Sequence, residues 1–144
     1  MTERDEHTNA PVNGRTGLVE LSGEECWELL DATSHGRVAV SVGTTPDIFP
    51  VSYCVKDGEI VIRTEAGTKL AAGTMMPAIA FEIDEFDLAG HKGWSVVVKG
   101  RGREPGTLDE VLALDALDME PWVDAAKTRW LVITPHSVTG RRVP

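Results

Sequence analysis

At 144 residues and 42% hydrophobic side chains, the chain is the size of one domain with a sizeable core. Its formal charge of -9 and pI near 4.8 exclude nucleic-acid binding as a default role, because counterion release needs clustered cations. No apolar run nears the roughly 20 residues of a membrane span, and the opening "MTERDEHTNAPVNGRTG" lacks the apolar centre of a signal peptide, so a cytoplasmic protein without membrane attachment is expected.

Residues 1–17 are polar, carry Pro11, Gly14 and Gly17, and bury too little to offset the entropy of ordering; they are predicted to be a flexible tail ahead of a single domain at 18–144. In "LSGEECWELLDATSHG", Ser22 and Glu25 have capping-box spacing, and Cys26, Trp27, Leu29 and Leu30 follow on helical spacing. The helix is predicted to end near Gly36. The period then shortens. "GRVAVSV", "DIFPVSYCV", "EIVIRT", "AIAFEID" and "WSVVVKGRG" are β-branched or alternating runs separated by turn residues, and they predict antiparallel strands. "TKLAAGTM" reads as a helical turn between the third and fourth strands, and residues 107–118 as a second helix with Asp109 and Glu110 in its first turn. "RWLVITPHSVTGRRV" supplies a sixth strand and a tail holding Arg141 and Arg142. The expectation is a mainly β domain with peripheral helices, its six antiparallel strands closed into a barrel, since closure removes exposed edges.

The segment "RTEAGTKL" is where the chain becomes chemically specific. Arg63, Thr64, Thr68 and Lys69 place a guanidinium, two hydroxyls and an ammonium around a glycine turn and a helix start, a donor set that suits a phosphate. The spacing is neither a P-loop nor a Rossmann fingerprint. In "GHKGWSVVVKG" a glycine-hinged turn releases Trp94 and Ser95 onto a strand. Cys26 and Cys54 lie apart in apolar surroundings and read as packing thiols. His7, His35, His91 and His136 show no metal-ligand spacing, and the acidic "FEIDEFD" lacks the glycine and oxygen pattern of a calcium loop and reads as a solvated strand face. No Ser-His-Asp or Cys-His order is present. A phosphate site without an evident acid, base or nucleophile points to chemistry supplied by a phosphorylated cofactor.

These motifs in this order, from "GRVAVSV" through "RTEAGTK" and "GWSVVVKG" to "RWLVITPHSVTGRR", resemble the pyridoxamine 5'-phosphate oxidase-like FMN-binding split-barrel family over residues 18–143, particularly its short actinobacterial-type members. The resemblance implies a six-stranded split β-barrel, a homodimer with two FMN clefts at the subunit interface, and oxidoreductase activity on a small molecule. By the same resemblance Arg63, Thr64, Thr68 and Lys69 hold the FMN phosphate and ribityl chain, Val51, Ser52 and Tyr53 line the isoalloxazine, and Trp94 and Ser95 complete the pocket. Members of the wider group take a deazaflavin or haem instead, and a flavin-sequestering module without turnover is the alternative to an enzyme. The chain departs from true pyridoxamine phosphate oxidases in lacking their C-terminal Arg-x-His element, for which "TGRRVP" stands, and from nitroimidazole-reductase-like members in lacking a histidine near Arg63.

Overall fold

The computed structural model describes residues 17–119 and 128–144. The tail expected over 1–17 therefore falls, except for Gly17, outside the described residues. Strands dominate: β1 (Val19–Glu20), β2 (His35–Val42), β3 (Thr45–Lys56), β4 (Glu59–Glu65), β5 (Ile79–Asp87), β6 (Lys92–Arg103) and β7 (Thr128–Val143). All pair antiparallel in the order β1-β7-β4-β3-β2-β5-β6, and β6 pairs back onto β7 to close a six-stranded ring. The seventh strand, β1, adds two residues to the free flank of β7 through Val19 opposite Arg142 and Glu20 opposite Arg141. Arg141 and Arg142 are thus strand residues held between β1 and β6, where the sequence reading placed them in a tail.

Local chemistry accounts for the turns. Between β3 and β4, Asp57 and Gly58 both take positive φ, 53° and 74°, the conformation that a two-residue hairpin turn matched to strand twist requires. Helix α1 (Gly23–Ala32) opens with the full capping box, Ser22 Oγ accepting from the Glu25 amide and Glu25 Oε1 accepting from the Ser22 amide. It stops at Thr33 in an extended conformation, earlier than predicted. Gly36 is a β2 residue, and its role is close approach: a Cβ there would lie 2.5 Å from the Phe81 ring and 2.7 Å from the Glu82 carbonyl.

Strand alternation sorts the side chains. Val38, Val40, Val51, Tyr53, Ile60, Ile62, Phe81, Ile83, Val96, Val98, Leu131 and Ile133 fill the barrel, which Cys26 and Leu30 of α1 join from one end. At the other end a 3-10 helix (Ala71–Met75) brings Gly73 against Val40, Ile79 and Leu131. Outside the barrel, α2 (Leu108–Asp115) lays Leu114 over Val61, Trp130 and Val132, making a second small core. Its position is fixed by Arg103, which donates to both carboxylate oxygens of Glu59 (2.7 and 3.1 Å) and of Glu110 (2.7 and 2.9 Å).

Candidate functional site

The exit of β4 carries the predicted anion donors on two sides of one strand. Thr64 points inward and is 8% exposed, while Arg63 points outward, lies 5.5 Å from the Trp130 ring centroid and donates to the Met119 carbonyl at 3.2 Å. After the turn at Gly67, Thr68 folds back so that its Oγ1 is 3.3 Å from that of Thr64; it also donates to the Glu65 carbonyl and accepts from the Ala71 amide. The 3-10 helix that follows has only five residues, shorter than the helical segment expected after Thr68 and Lys69, and contributes little dipole. Positive charge at this exit therefore rests on side chains. Lys69 is 66% exposed and forms a long ion pair, 3.6 Å, with Asp47 of β3.

On β3 the three expected lining residues split by strand phase. Val51 and Tyr53 face the barrel interior, at 6% and 3% exposure, and only Ser52 faces outward, one step beyond the pairing of Tyr53 with Ile62 and hence beside Arg63. The Tyr53 side chain is committed within the core. Its hydroxyl donates to the Leu30 carbonyl at 2.6 Å and its ring meets Phe81 edge to face at 4.7 Å, which makes the side chain a strut between β3 and α1. Burial drives the Tyr53 phenol well above its ordinary range.

Trp94 and Ser95 lie elsewhere. Trp94 packs half-buried on the barrel core near α1, opposite Arg142 of β7, and Ser95 stands opposite Arg141. Thr64 is opposite Arg129 of the same strand. The two β7 positions are separated by about 40 Å of strand at roughly 3.3 Å per residue. One chain thus brings together Ser52, Arg63, Thr64, Thr68 and Lys69 and leaves Trp94 and Ser95 at a distance.

With this architecture in place, the comparison with known proteins decides the lineage: the profile of the family described as pyridoxamine 5'-phosphate oxidase matches residues 22–142. The chain belongs to this family. An uncharacterized protein of Mycobacterium tuberculosis is 34% identical over 131 residues, covering 88% of this chain and 86% of that one. Among solved structures, an FAD binding protein from Mycobacterium smegmatis is 34% identical with a TM-score of 0.74, over 86% of this chain and 98% of that one. A putative pyridoxamine 5'-phosphate oxidase from Corynebacterium glutamicum is also 34% identical with a TM-score of 0.74, over 87% and 92% of the two chains. Within the pyridoxamine 5'-phosphate oxidase family fold, the split barrel is the arrangement expected from the sequence, with β1 added.

Three features of this family member were not foreseen in the sequence. Asp47 is an anion already beside Lys69. Arg37 bridges Glu82 at 3.2 Å and Asp84 at 3.0 Å on the outer face of β2 and β5, so the acidic run "FEIDEFD" is partly neutralised rather than simply solvated. His35, at the start of β2, has its Nδ1 2.8 Å from Ser34 Oγ. Burial raises both the Cys26 and Cys54 thiols, so they stay protonated and serve packing. Among the described residues no group of three or more His, Cys, Asp or Glu side chains is arranged to hold a metal ion, and no helix is long and apolar enough to cross a membrane.

Proposed function

We propose that this chain is an FMN-dependent oxidoreductase acting on a small molecule, with the flavin phosphate anchored at the β4 exit and the cofactor cleft shared between two copies. The observation that carries the reading is the pairing of an exposed Lys69 ammonium, loosely held by Asp47, with the adjoining Thr64 and Thr68 hydroxyls. This donor set fits a phosphate monoester. Lys69 would hold its charge, Thr68 and Thr64 would donate to its oxygens, and outward Arg63 and Ser52 would follow the ribityl chain toward the ring. Bound there, the flavin supplies hydride or electron transfer; the protein's own part is to anchor, orient and exclude water. The distance between this exit and Trp94 and Ser95 supports a homodimer in which the second copy brings that strand.

A second reading, FAD in place of FMN, is favoured by the description of the Mycobacterium smegmatis neighbour as FAD binding. The test is titration of apo protein with FMN, FAD and riboflavin by flavin fluorescence, for wild type and Lys69→Ala. Because Lys69 is 66% exposed, its removal leaves the fold intact, whereas Arg63→Ala also strips a cation from Trp130. A charge-assisted phosphate contact contributes about 1.5 to 3 kcal/mol, so FMN affinity should fall roughly tenfold to a hundredfold in Lys69→Ala while riboflavin is unaffected. Equal FMN affinity in both proteins refutes the anchor. Bleaching of the bound flavin by NADH or NADPH within turnover times separates an enzyme from a sequestering module.

A further inference from the structure

Strand pairing places a histidine beside the outward flank of the site. His35, the first residue of β2, lies directly opposite Ser52 of β3. The Tyr53 amide donates to the Ser34 carbonyl at 3.0 Å, so the neighbouring pair of His35 with Ser52 is of the non-hydrogen-bonded kind. That kind brings Cα atoms to about 4.5 Å and side chains closest together. Both side chains point outward, His35 in phase with Arg37 and Ala39, Ser52 in phase with Ile48 and Pro50. Arg63 follows one strand further on, next to Ile62, the partner of Tyr53. An outward row of His35, Ser52 and Arg63 therefore crosses β2, β3 and β4, about 10 Å from end to end at roughly 4.8 Å per strand.

Two observations single out His35 at the β2 end of this row. Its Nδ1 lies 2.8 Å from Ser34 Oγ, a contact that orients the ring of an exposed side chain. Arg37, the next outward group on the same strand, is committed to Glu82 and Asp84. We propose that His35 is a cofactor-binding residue: the Ser34 hydroxyl donates to Nδ1, the ring carries its proton on Nε2, and this N–H meets the pyrimidine end of a flavin whose phosphate sits at Lys69. The inference rests on the flavin reading above and names a further residue of that site. A ribityl chain that leaves the β4 exit and passes Arg63 and Ser52 is directed toward β2, where the imidazole stands. The pyrimidine end of the ring system carries carbonyl acceptors, and the dimethylbenzene end has none, so a histidine donor selects the first. Electron density rises at the pyrimidine end on reduction, and a donor fixed there stabilises the reduced ring over the oxidised one. His35 thereby raises the reduction potential of the bound flavin, and Ser34 acts through it as a positioning residue.

Titration of the full chain with FMN and with riboflavin, followed by the visible spectrum and reduction potential of the bound ring, tests this. His35→Phe keeps a planar side chain and removes the donor. It should weaken both flavins alike, roughly threefold to tenfold, shift the bound spectrum and lower the potential. His35→Gln, whose amide N–H stands in for that of Nε2, should restore most of each. Ser34→Ala should move spectrum and potential in the same direction by less, and Ser34→Thr should not move them. Wild-type affinity, spectrum and potential in His35→Phe overturn the assignment, and the anchor still stands if Lys69→Ala weakens FMN selectively. A loss of FMN affinity with riboflavin unaffected also overturns it, because it places His35 at the phosphate. The expected His35→Phe changes alongside unaltered FMN affinity in Lys69→Ala remove the anchor and keep His35 in the cleft. A wild type that binds neither flavin overturns both. Circular dichroism melts check each fold, and if His35→Phe does not fold, the contrast between Ser34→Ala and Ser34→Thr decides the matter: identical spectra and potentials in the two overturn the proposal.

Discussion

Replacing Tyr53 with Phe separates a structural residue from a cofactor residue. The phenol is enclosed at 3% exposure and donates a 2.6 Å hydrogen bond to the carbonyl of Leu30, itself 0% exposed and in the last turn of α1, where helix carbonyls lack intrahelical partners. Phe keeps the edge-to-face contact with Phe81 but strands that carbonyl. A net hydrogen bond contributes about 0.5 to 1.5 kcal/mol, and an acceptor left unsatisfied in the interior adds desolvation, so a loss of about 2 kcal/mol is expected. For a chain of this length that lowers Tm by roughly 6 to 8 °C. The assay is urea unfolding followed by tryptophan fluorescence, with an FMN titration on the same preparations. Stability should fall and FMN affinity should hold. Unchanged stability with weakened flavin binding would refute the assignment of Tyr53 to the core and return it to the cofactor cleft.

Arg103→Ala should lower stability by about 2 kcal/mol, since Glu59 and Glu110 lose their shared cation beneath α2. The Arg103 guanidinium and the Gly106 amide hold Glu110 down at about 2, and Arg103 also lowers Glu59; the stability these carboxylates add is present above their ordinary value of 4.5 and is lost as pH falls below it. Urea midpoints between pH 5 and 2 should therefore decline more steeply in wild type than in the variant. Glu82 has the opposite sign: raised from 4.5 to about 7, it favours the folded state at low pH and loses that contribution as pH rises through 7, so Glu82→Gln should flatten the stability profile between about pH 5 and 7.5. Asp47→Asn frees Lys69 from its 3.6 Å partner and should tighten FMN binding several-fold at low ionic strength, an exposed ion pair contributing at most about 1 kcal/mol; unchanged affinity would place the phosphate away from Lys69.

What could be read from the sequence depended on how local its cause was. Ser22 with Glu25, the Asp57-Gly58 turn and the alternation of "GRVAV" are settled within a few residues, and the structure keeps them. Strand phase in "PVSYCV" was hidden because α2 covers Cys54 on the outer side while Val51 and Tyr53 fill the barrel, leaving an apolar run with no visible inside. Gly36 looks like a helix stop until β5 is laid against β2, when the Phe81 ring explains it. β1 is two residues long and carries no period; only its pairing with β7 defines it. The Arg37 cluster and the contact of Asp47 with Lys69 arise from long-range register and packing, which no spacing along the chain reveals.

The sixteen-residue β7 is the common partner of β1, β4 and β6. During synthesis, every barrel-closing contact must therefore wait until residues 128–143 have been made, and the pairing of Val19 with Arg142 joins nearly the two extremes of the described chain. In that interval β4 and β6 each hold an open ladder of amides and carbonyls, and the valine-rich β6 is the more hazardous of the two. A chain cut short just before Thr128 would thus be a nearly complete sheet with two adhesive edges, so loss of this last strand alone is expected to divert the protein from the barrel to an aggregate.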